Sequence, residues 1–282
     1  MPSLTLLPAA VTEWARAISR RAVRRARSWR PMVPFTGRVA ERQLIASTVA
    51  RVHGGAPAAL VLLGPAGVGK SRLLREWAAD GVRRIDVVGY EPEGGVPFAA
   101  AGGLLKTLLG AESPRAVGAG AEGGPAEPLR VFEAAFAALS SAGPTVLVVD
   151  DLQWLDASSV ALIHYLVRGA LASTLPVGLI AAARPGPDSA PTLEALERLF
   201  GDRPGLNVHN LGPLGAKDAI ALLRAAAPTM SDEVAERLWQ RVGGSPYWLL
   251  ALARGTNDDP GAVLRERLER LSIDAATLLG AL

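Results

Sequence analysis

The sequence predicts an α/β protein in which a parallel sheet is flanked by helices and followed by a small helical subdomain. Between residues 58 and 183, short apolar runs of strand length alternate with helical stretches, which is typical of a parallel sheet covered by helices. From Gly215 onward no strand pattern survives, so the remaining segments are predicted to be helical. With 282 residues and 49% hydrophobic content, the chain is long and apolar enough for one large domain or two.

The first predicted strand leads directly into a glycine-rich loop. Residues 58–63 read AALVLL, residues 64–71 read GPAGVGKS, and residues 71–79 can continue as a helix. The loop matches the pattern G-x-x-x-x-G-K-[ST], for which the residue frequencies of this chain give about 0.003 chance matches. Strand, loop and helix in this order are the context that the pattern requires. We therefore predict a phosphate-binding loop (P-loop), and with it a P-loop NTPase parallel sheet flanked by helices.

The residues of this loop suit an anionic ligand. Backbone N–H groups and the helix N-terminus point at the anion, and the glycines let the backbone approach phosphates. Lys70 supplies a mobile positive charge, and Ser71 would place its hydroxyl on Mg²⁺. The predicted nucleotide contacts in this segment are Gly64, Pro65, Ala66, Gly67, Val68, Gly69, Lys70, Ser71 and Arg72.

The segment after the loop contains the second predicted strand, over residues 84–89, and a predicted helix over residues 98–109. Residues 110–128 are rich in Gly, Ala, Pro and Glu, which indicates an exposed loop. A further helix is predicted over residues 129–141.

The third predicted strand begins at Thr145 and ends in two consecutive acids, Asp150 and Asp151. Taken alone, these acids could simply begin a turn and cap the next helix. Beside a P-loop, they predict that Asp150 holds Mg²⁺ largely through water and that Asp151 polarises the water that attacks the γ-phosphate. Asp156 precedes a helical run to residue 171, so an N-cap role is predicted for it.

The fourth predicted strand covers residues 177–183, and Arg184 stands at its end. In an open α/β sheet, ligands bind beyond the carboxyl ends of the strands. Arg184 is therefore predicted to sense the γ-phosphate, the alternative being a surface arginine before the Pro-Gly-Pro segment that follows. Helices are predicted over residues 216–227, 231–242 and 246–254, and a glycine pair and a proline suffice to explain the break between the last two.

Composition excludes several classes of site. Cysteine is absent, so neither disulfides nor thiolate metal sites can form. The histidines, His53, His164 and His209, lie far apart and show no ligand spacing, so they predict no metal site. No uninterrupted apolar run reaches 18 residues, and the N-terminus lacks the order of segments that marks a signal peptide. We therefore expect a cytoplasmic protein without a transmembrane segment.

Taken together, these segments resemble the ATPase core of the signal-transduction ATPases with numerous domains (the STAND class) within the AAA-related P-loop proteins. The nearest likeness is to the large ATP-binding LuxR-type transcriptional regulators. FTGR at residues 35–38, followed by Glu41, resembles the family's F-x-G-R-x-x-E segment, and GPAGVGKS matches its Walker A loop. VLVVDDLQWLD at residues 146–156 matches its Walker B segment. LGPL at residues 211–214 resembles the junction into the lid, and GSP at residues 244–246 matches the lid's G-x-P motif.

The resemblance implies ATP or ADP and Mg²⁺ as cofactors, and a signalling switch that hydrolyses ATP slowly. It implies that Gly37 and Arg38 lie against the adenine, that Arg184 is a sensor arginine, and that Pro246 approaches the nucleotide from the lid. Lys70 and Asp151 would then act on the phosphates and the attacking water.

Two other functions stay open. One is a stand-alone AAA-type ATPase that remodels or loads a protein partner. The other, less favoured, is a P-loop small-molecule kinase with an acceptor pocket. Direct DNA binding is the weakest proposal, because residues 1–35 carry a net charge of +6, which leaves −3 for the remainder of a chain whose total is +3. A nucleotide-dependent homo-oligomer also stays open.

The predicted domain organisation has four parts. Residues 1–34 form a basic arm, which we read as a solvated extension rather than a lipid, nucleic-acid or partner contact. Residues 35–214 form the P-loop ATPase domain and residues 215–255 the helical lid. Residues 256–282 begin a further helical or winged-helix segment, with truncation as an open alternative. We expect sensor and output functions either in a protein partner or in further C-terminal domains.

Overall fold

The computed structural model describes residues 33–77, 81–110 and 127–254. Nearly all of the predicted basic arm and of the predicted loop at 110–128, and the segment at 256–282, lie outside the described residues. None of the helices within the described ranges is long and apolar enough to cross a membrane.

The core of the fold is a parallel sheet whose five strands have the spatial order β2-β3-β4-β1-β5. The strands are β1 (Ala58–Leu63), β2 (Arg83–Val88), β3 (Thr145–Asp150), β4 (Val177–Ala183) and β5 (Leu206–Asn210). The four strands predicted from the sequence are confirmed, and so is the α/β fold class. The fifth strand was not predicted, because LNVHN lies at the edge of the sheet and none of its side chains is fully buried.

The strand order brings three strand ends together. β4 lies between β1 and β3, with Leu63 of β1 opposite Ala183 and with Val149 of β3 opposite Ala181. All seven residues of β4 are buried, as expected for a central parallel strand covered on both faces. The P-loop, Arg184 and the paired acids, which follow β1, β4 and β3, therefore meet at one edge of the sheet.

Helices cover both faces of the sheet and then form a separate group. They are α1 (Val39–His53), α2 (Lys70–Glu76), α3 (Gly102–Leu109), α4 (Glu127–Ser141), α5 (Ala157–Ser173), α6 (Ala190–Phe200), α7 (Ala216–Ala226), α8 (Asp232–Val242) and α9 (Pro246–Arg254). Two short 3₁₀ helices, Glu91–Glu93 and Leu152–Trp154, follow the carboxyl ends of β2 and β3.

Side chains alternate between two apolar clusters along each central strand. In β1, Ala59 and Val61 belong to the cluster that α3 to α6 cover, whereas Leu60 and Leu62 belong to the cluster under α1 and α2. A third cluster joins α7, α8 and α9, and Val33 from the N-terminal segment packs into it. The last three helices thus have a core of their own beside the sheet.

The predicted helix over residues 98–109 begins later, at Gly102. Phe98 has a positive φ of 59°, and its N–H donates to Asp156 Oδ1 over 2.8 Å. The N–H of Ala100 donates to the other carboxylate oxygen of Asp156 over 3.2 Å. The same side chain caps α5 by accepting from the N–H of Ser159, so the predicted N-cap is confirmed. Hydrogen bonds from backbone N–H groups to a distant carboxylate therefore replace the first turn of the predicted helix.

Candidate functional site

A cavity of about 330 Å³ lies beyond the carboxyl ends of β1, β3 and β4, beneath the N-terminus of α9. Its charged lining is mostly cationic: Arg38, Lys70, Arg72, Arg75 and Arg184, with Asp151 as the acid. Its apolar lining includes Val33, Phe35, Leu214, Leu222 and Leu250. A cavity with a cationic part and an apolar part suits a ligand that combines a polyanion with a flat apolar group.

The main chain of the P-loop depends on glycine at two positions. Gly67 and Gly69 have φ values of 78° and 105°, in the left-handed region that disfavours other residues. A Cβ on Gly67 would also come within 2.8 Å of the Cβ of Tyr247. These two glycines therefore set the path of the loop and permit its close contact with α9.

Lys70 is buried at the start of α2, and its ammonium group is held by the loop itself. Nζ donates to the carbonyl oxygens of Gly64 and Pro65 over 2.7 Å and 3.0 Å. Burial lowers the pKa of Lys70; Asp151 opposes the shift, Arg184 adds to it, and Asp150 opposes it more weakly. Because its partners are neutral carbonyls, the ammonium can exchange them for an anion without leaving the loop.

Ser71 and Asp150 place two oxygen ligands side by side. Ser71 Oγ donates to Asp150 Oδ1 over 2.9 Å. Burial raises the pKa of Asp150, the hydrogen bond from Ser71 lowers it, and the charge of Asp151 raises it further. Within the described ranges, no group of three or more His, Cys, Asp or Glu side chains converges on a point. One carboxylate beside one hydroxyl fits Mg²⁺, which usually takes one or two carboxylates and keeps several waters.

Asp151 begins the 3₁₀ helix Leu152–Trp154 with a left-handed backbone, φ 53° and ψ 53°. It lines the cavity, and its Oδ1 accepts a hydrogen bond from Gln153 Nε2 over 2.9 Å. Gln153 Oε1 in turn accepts from the backbone N–H of Arg184 over 3.1 Å. The turn after β3 is therefore tied to the end of β4 by one side chain.

Arg184 is exposed at the end of β4 and lines the cavity. Its positive charge contributes to the lowered pKa of Lys70, so the two cations act on the same region of the cavity. Ser189 Oγ donates to the carbonyl oxygen of Arg184 over 2.6 Å, which fixes the backbone where the chain leaves the sheet.

The helical subdomain contacts the P-loop directly. The N–H of Tyr247, in the first turn of α9, donates to the carbonyl oxygen of Gly67 over 3.2 Å. Pro246 lies 3.9 Å from the position of a Cβ on Gly69. At Gly244, with φ 74°, a Cβ would collide with the carbonyl oxygen of Leu214. The G-x-P segment thus lies against both the P-loop and the chain that leads into α7.

Arg38, predicted to contact nucleotide, has a guanidinium group with several protein partners. Although it lines the cavity, its guanidinium group bonds to the protein: Nη2 donates to the carbonyl oxygens of Val68 and Gly212 over 3.0 Å and 2.7 Å. Nη1 donates to Glu41 over 2.9 Å. The guanidinium group therefore connects the P-loop to the junction before α7.

Most of the predicted site residues meet around this cavity. Those that line it are Arg38, Ala66, Gly67, Val68, Gly69, Lys70, Ser71, Arg72, Asp151, Arg184 and Pro246. Gly37, Gly64, Pro65 and Asp150 do not line it, although the carbonyls of Gly64 and Pro65 hold Lys70 and Asp150 contacts Ser71. At Gly37, a Cβ would collide with the carboxylate of Asp218 at the start of α7.

Sequence reasoning missed most of the apolar residues that line the cavity and, near the P-loop and the paired acids, Arg75, Tyr247 and Gln153. Arg75 lines the cavity one turn beyond Ser71, so the i, i+4 spacing on α2 could have indicated it. Tyr247 follows Pro246 directly, but only the fold shows that its N–H reaches Gly67. Gln153 lies two residues after Asp151, and no spacing rule assigns it a partner.

Comparison with known proteins gives one family and a set of similar folds. The family model described as "AAA ATPase domain" matches residues 34–180. Comparison with curated proteins gives no match.

Among solved structures, a STAND protein with a tetratricopeptide repeat sensor from Pyrococcus horikoshii has 18% identity and a TM-score of 0.52. The match covers 83% of this chain and 33% of that one. RuvB from Thermotoga maritima has 18% identity and a TM-score of 0.48, with 79% of this chain and 64% of that chain covered. This chain thus spans less than two thirds of either protein. At this identity, the likeness to the STAND protein shows the fold alone.

Proposed function

The chain belongs to the AAA ATPase domain family, and we propose that it binds ATP with Mg²⁺ and hydrolyses it slowly, as a signalling switch of the STAND class. Its family implies nucleotide binding, and its fold is that of a P-loop ATPase. One observation carries the proposal: the P-loop lysine, Asp151, Arg184 and the first turn of α9 all line one cavity. The motif likeness to LuxR-type regulators supports a link to transcription.

The proposed phosphate contacts are built from the P-loop. Lys70 and the loop N–H groups hold the β- and γ-phosphates, and Ser71 and Asp150 hold Mg²⁺. When bound, Mg²⁺ supplies positive charge that offsets the charge on the phosphate oxygens. Asp151 orients the attacking water, and Arg184 contacts the γ-phosphate from the end of the neighbouring strand.

The apolar part of the cavity supports an adenine site. Phe35 comes from the segment before α1, whereas Leu222 and Leu250 come from α7 and α9. The nucleoside would then contact both the N-terminal segment and the helical subdomain. We propose that the F-T-G-R segment acts here mainly through Phe35 and the backbone, because the Arg38 guanidinium bonds to protein carbonyls.

The contact between α9 and the P-loop supports a switch. The Tyr247 N–H bonds to Gly67, and Pro246 lies near Gly69, so a change in what the loop holds alters the surface on which α9 rests. Loss of one phosphate would therefore change the fit between the lid and the sheet. We propose residues 35–214 as the ATPase domain and residues 215–255 as the lid.

A switch needs an input and an output. The similar protein from Pyrococcus horikoshii carries a tetratricopeptide repeat sensor, and we propose that a comparable input reaches this ATPase from a partner or from another part of the same protein. The supply of ATP and Mg²⁺ that the reaction requires supports a cytoplasmic location. A nucleotide-dependent homo-oligomer is consistent with such a switch.

Lys70 provides the direct test of nucleotide binding. In Lys70→Ala, we expect the Kd for a fluorescent ATP analogue with Mg²⁺ to rise by about 10- to 100-fold, because a charge-assisted contact is lost. Lys106 is exposed on α3, and Lys106→Ala is the matched control, expected to bind like wild type. Equal affinity of Lys70→Ala and wild type, or no binding by wild type, would contradict the proposal. Phosphate release by wild type tests the hydrolysis step.

A further inference from the structure

The side-chain amide of Gln153 joins two residues that the proposed reaction uses. Its Nε2 donates to Asp151 Oδ1 over 2.9 Å, and its Oε1 accepts from the N–H of Arg184 over 3.1 Å. A carboxylate only accepts and a backbone N–H only donates, so these two partners admit a single orientation of the amide. Gln153 is thus suited to both bonds, and a side chain with acceptors only or donors only is not.

The backbone of Asp151 fixes the position of its Cα and Cβ atoms but not the direction of its carboxylate group. Asp151 has left-handed dihedral angles and makes no side-chain cap to the helix that it begins. The hydrogen bond from Gln153 therefore sets the direction of Oδ1. Within the described ranges, the Asp151 side chain has no other hydrogen bond or ion pair, which leaves Oδ2 available to the cavity.

The sheet itself does not need this bridge. Backbone pairing already joins β3 to β4 from Thr145 opposite Val177 to Val149 opposite Ala181. Gln153 acts beyond the last paired residues, in the turn that follows β3. A link at this point acts on the Asp151 carboxylate at the cavity rather than on the pairing of the strands.

We propose that Gln153 is a positioning residue for ATP hydrolysis, which directs the free oxygen of Asp151 towards the attacking water and ties that carboxylate to the backbone of Arg184. This inference rests on the proposed function and deepens it. The neutral amide of Gln153 bonds both to the carboxylate proposed to orient water, on Asp151, and to the backbone of Arg184, the arginine proposed to contact the γ-phosphate. A shift of either residue therefore alters the other through a single side chain.

The test compares Gln153→Leu and Gln153→Glu with wild type in single-turnover ATP hydrolysis. We expect the rate to fall by about 10- to 100-fold in both, because small errors in the placement of a reacting group are costly. The Kd for a fluorescent ATP analogue should stay within about twofold, since no phosphate contact is removed. Gln43 is exposed on α1, and Gln43→Leu is the matched control, expected to react at the wild-type rate.

A double-mutant cycle shows whether Gln153 acts through Asp151. In an Asp151→Asn background, Gln153→Leu should lower the residual rate no further. An equal loss in both backgrounds, or a wild-type rate in Gln153→Leu, would overturn the inference while leaving the proposed function intact. If wild type binds ATP but releases no phosphate, the proposed hydrolysis fails, and the positioning role fails with it. Gln153→Glu, of nearly the same shape, carries the test if Gln153→Leu does not fold.

Discussion

The two sides of the proposed phosphate site, the P-loop and the acids Asp150 and Asp151 at the end of β3, differ in what holds their conformation. On the P-loop side, the conformation comes from the main chain: Gly67 and Gly69 adopt left-handed angles, and Lys70 bonds to backbone carbonyls. On the acidic side, formed by Asp150 and Asp151, side-chain bonds hold the carboxylates: Asp150 accepts from Ser71 of the P-loop, and Asp151 accepts from Gln153. Main-chain geometry tolerates few substitutions, whereas a side-chain network can lose one member and keep its backbone.

This difference predicts that the two sides control different quantities, the affinity for nucleotide and the rate of ATP hydrolysis. The loop, built from backbone, should set the affinity for nucleotide, because its N–H groups are the proposed phosphate contacts. The acidic side should set the rate of hydrolysis, because it contains the proposed water-orienting carboxylate. Substitutions on the two sides should therefore separate the Kd for ATP from the hydrolysis rate.

The largest effect is expected on the acidic side, from Asp151→Asn. The amide keeps the size of the side chain but cannot accept a proton, so hydrolysis should fall by a factor on the order of 10² to 10⁴. The Kd for ATP should change by less than about twofold. Asp202 is exposed after α6, and Asp202→Asn is the control, expected to hydrolyse ATP normally. If Asp151→Asn hydrolysed ATP at the wild-type rate, Asp151 would have no role in the mechanism. The acidic side would then not set the rate of hydrolysis.

On the loop side, Gly67→Ala should act on affinity. The new Cβ meets the Tyr247 side chain at 2.8 Å, and the φ of 78° is unfavourable for alanine. We expect the free energy of unfolding to fall by about 1–3 kcal/mol and the Kd for ATP to rise by about tenfold.

Thermal unfolding and nucleotide titration measure the two effects of Gly67→Ala, and Gly103→Ala is the matched control. Gly103 lies within α3 with no atom near its Cβ position, so Gly103→Ala should stabilise the protein by about 0.5–1 kcal/mol. If Gly67→Ala bound ATP like wild type, the contact between α9 and the P-loop would not constrain the loop.

A smaller effect is expected from Arg38→Lys. Arg38 links the P-loop to the chain that leads into the lid. One ammonium cannot reproduce the planar group that reaches Val68, Gly212 and Glu41, so the free energy of unfolding should fall by about 1–2 kcal/mol. The Kd for ATP should rise only a few-fold. The exposed Arg42 on the same helix supplies the control Arg42→Lys, for which no change is expected. A loss of binding as large as that of Lys70→Ala would indicate direct contact between the Arg38 guanidinium and nucleotide.

The features predicted from sequence are those encoded by neighbouring residues. The P-loop and the buried strands β1, β3 and β4 form continuous segments whose pattern needs no distant partner. β5 was missed because its residues LNVHN have an edge-strand pattern without a buried face. The helix predicted from residue 98 was too long because Asp156, 58 positions away, accepts the N–H of Phe98.

The role of Arg38 illustrates the same limit within the site. Its motif indicates a nucleotide contact, which stays a prediction, but the motif did not reveal its shortest hydrogen bond, to the carbonyl oxygen of Gly212, 174 positions away. No local pattern encodes a bond to a main-chain carbonyl, because every residue carries one. The bridge from Gln153 to the N–H of Arg184 escaped prediction for the same reason.

The smallest expected effect concerns Asp150 and pH in the protein without nucleotide. Burial raises the pKa of Asp150 in the folded state, so the folded protein binds a proton more readily than the unfolded chain. For this group, stability therefore falls as pH rises through the raised pKa, and the charged form is a cost at neutral pH. Asp150→Asn removes the charge and should unfold at a higher temperature than wild type at pH 7, with a difference that shrinks as the pH is lowered towards 4. If the difference in unfolding temperature did not change with pH, the pKa of Asp150 would not be raised on folding. The charged carboxylate would then carry no burial cost, and the acidic side would not differ from the loop in this respect.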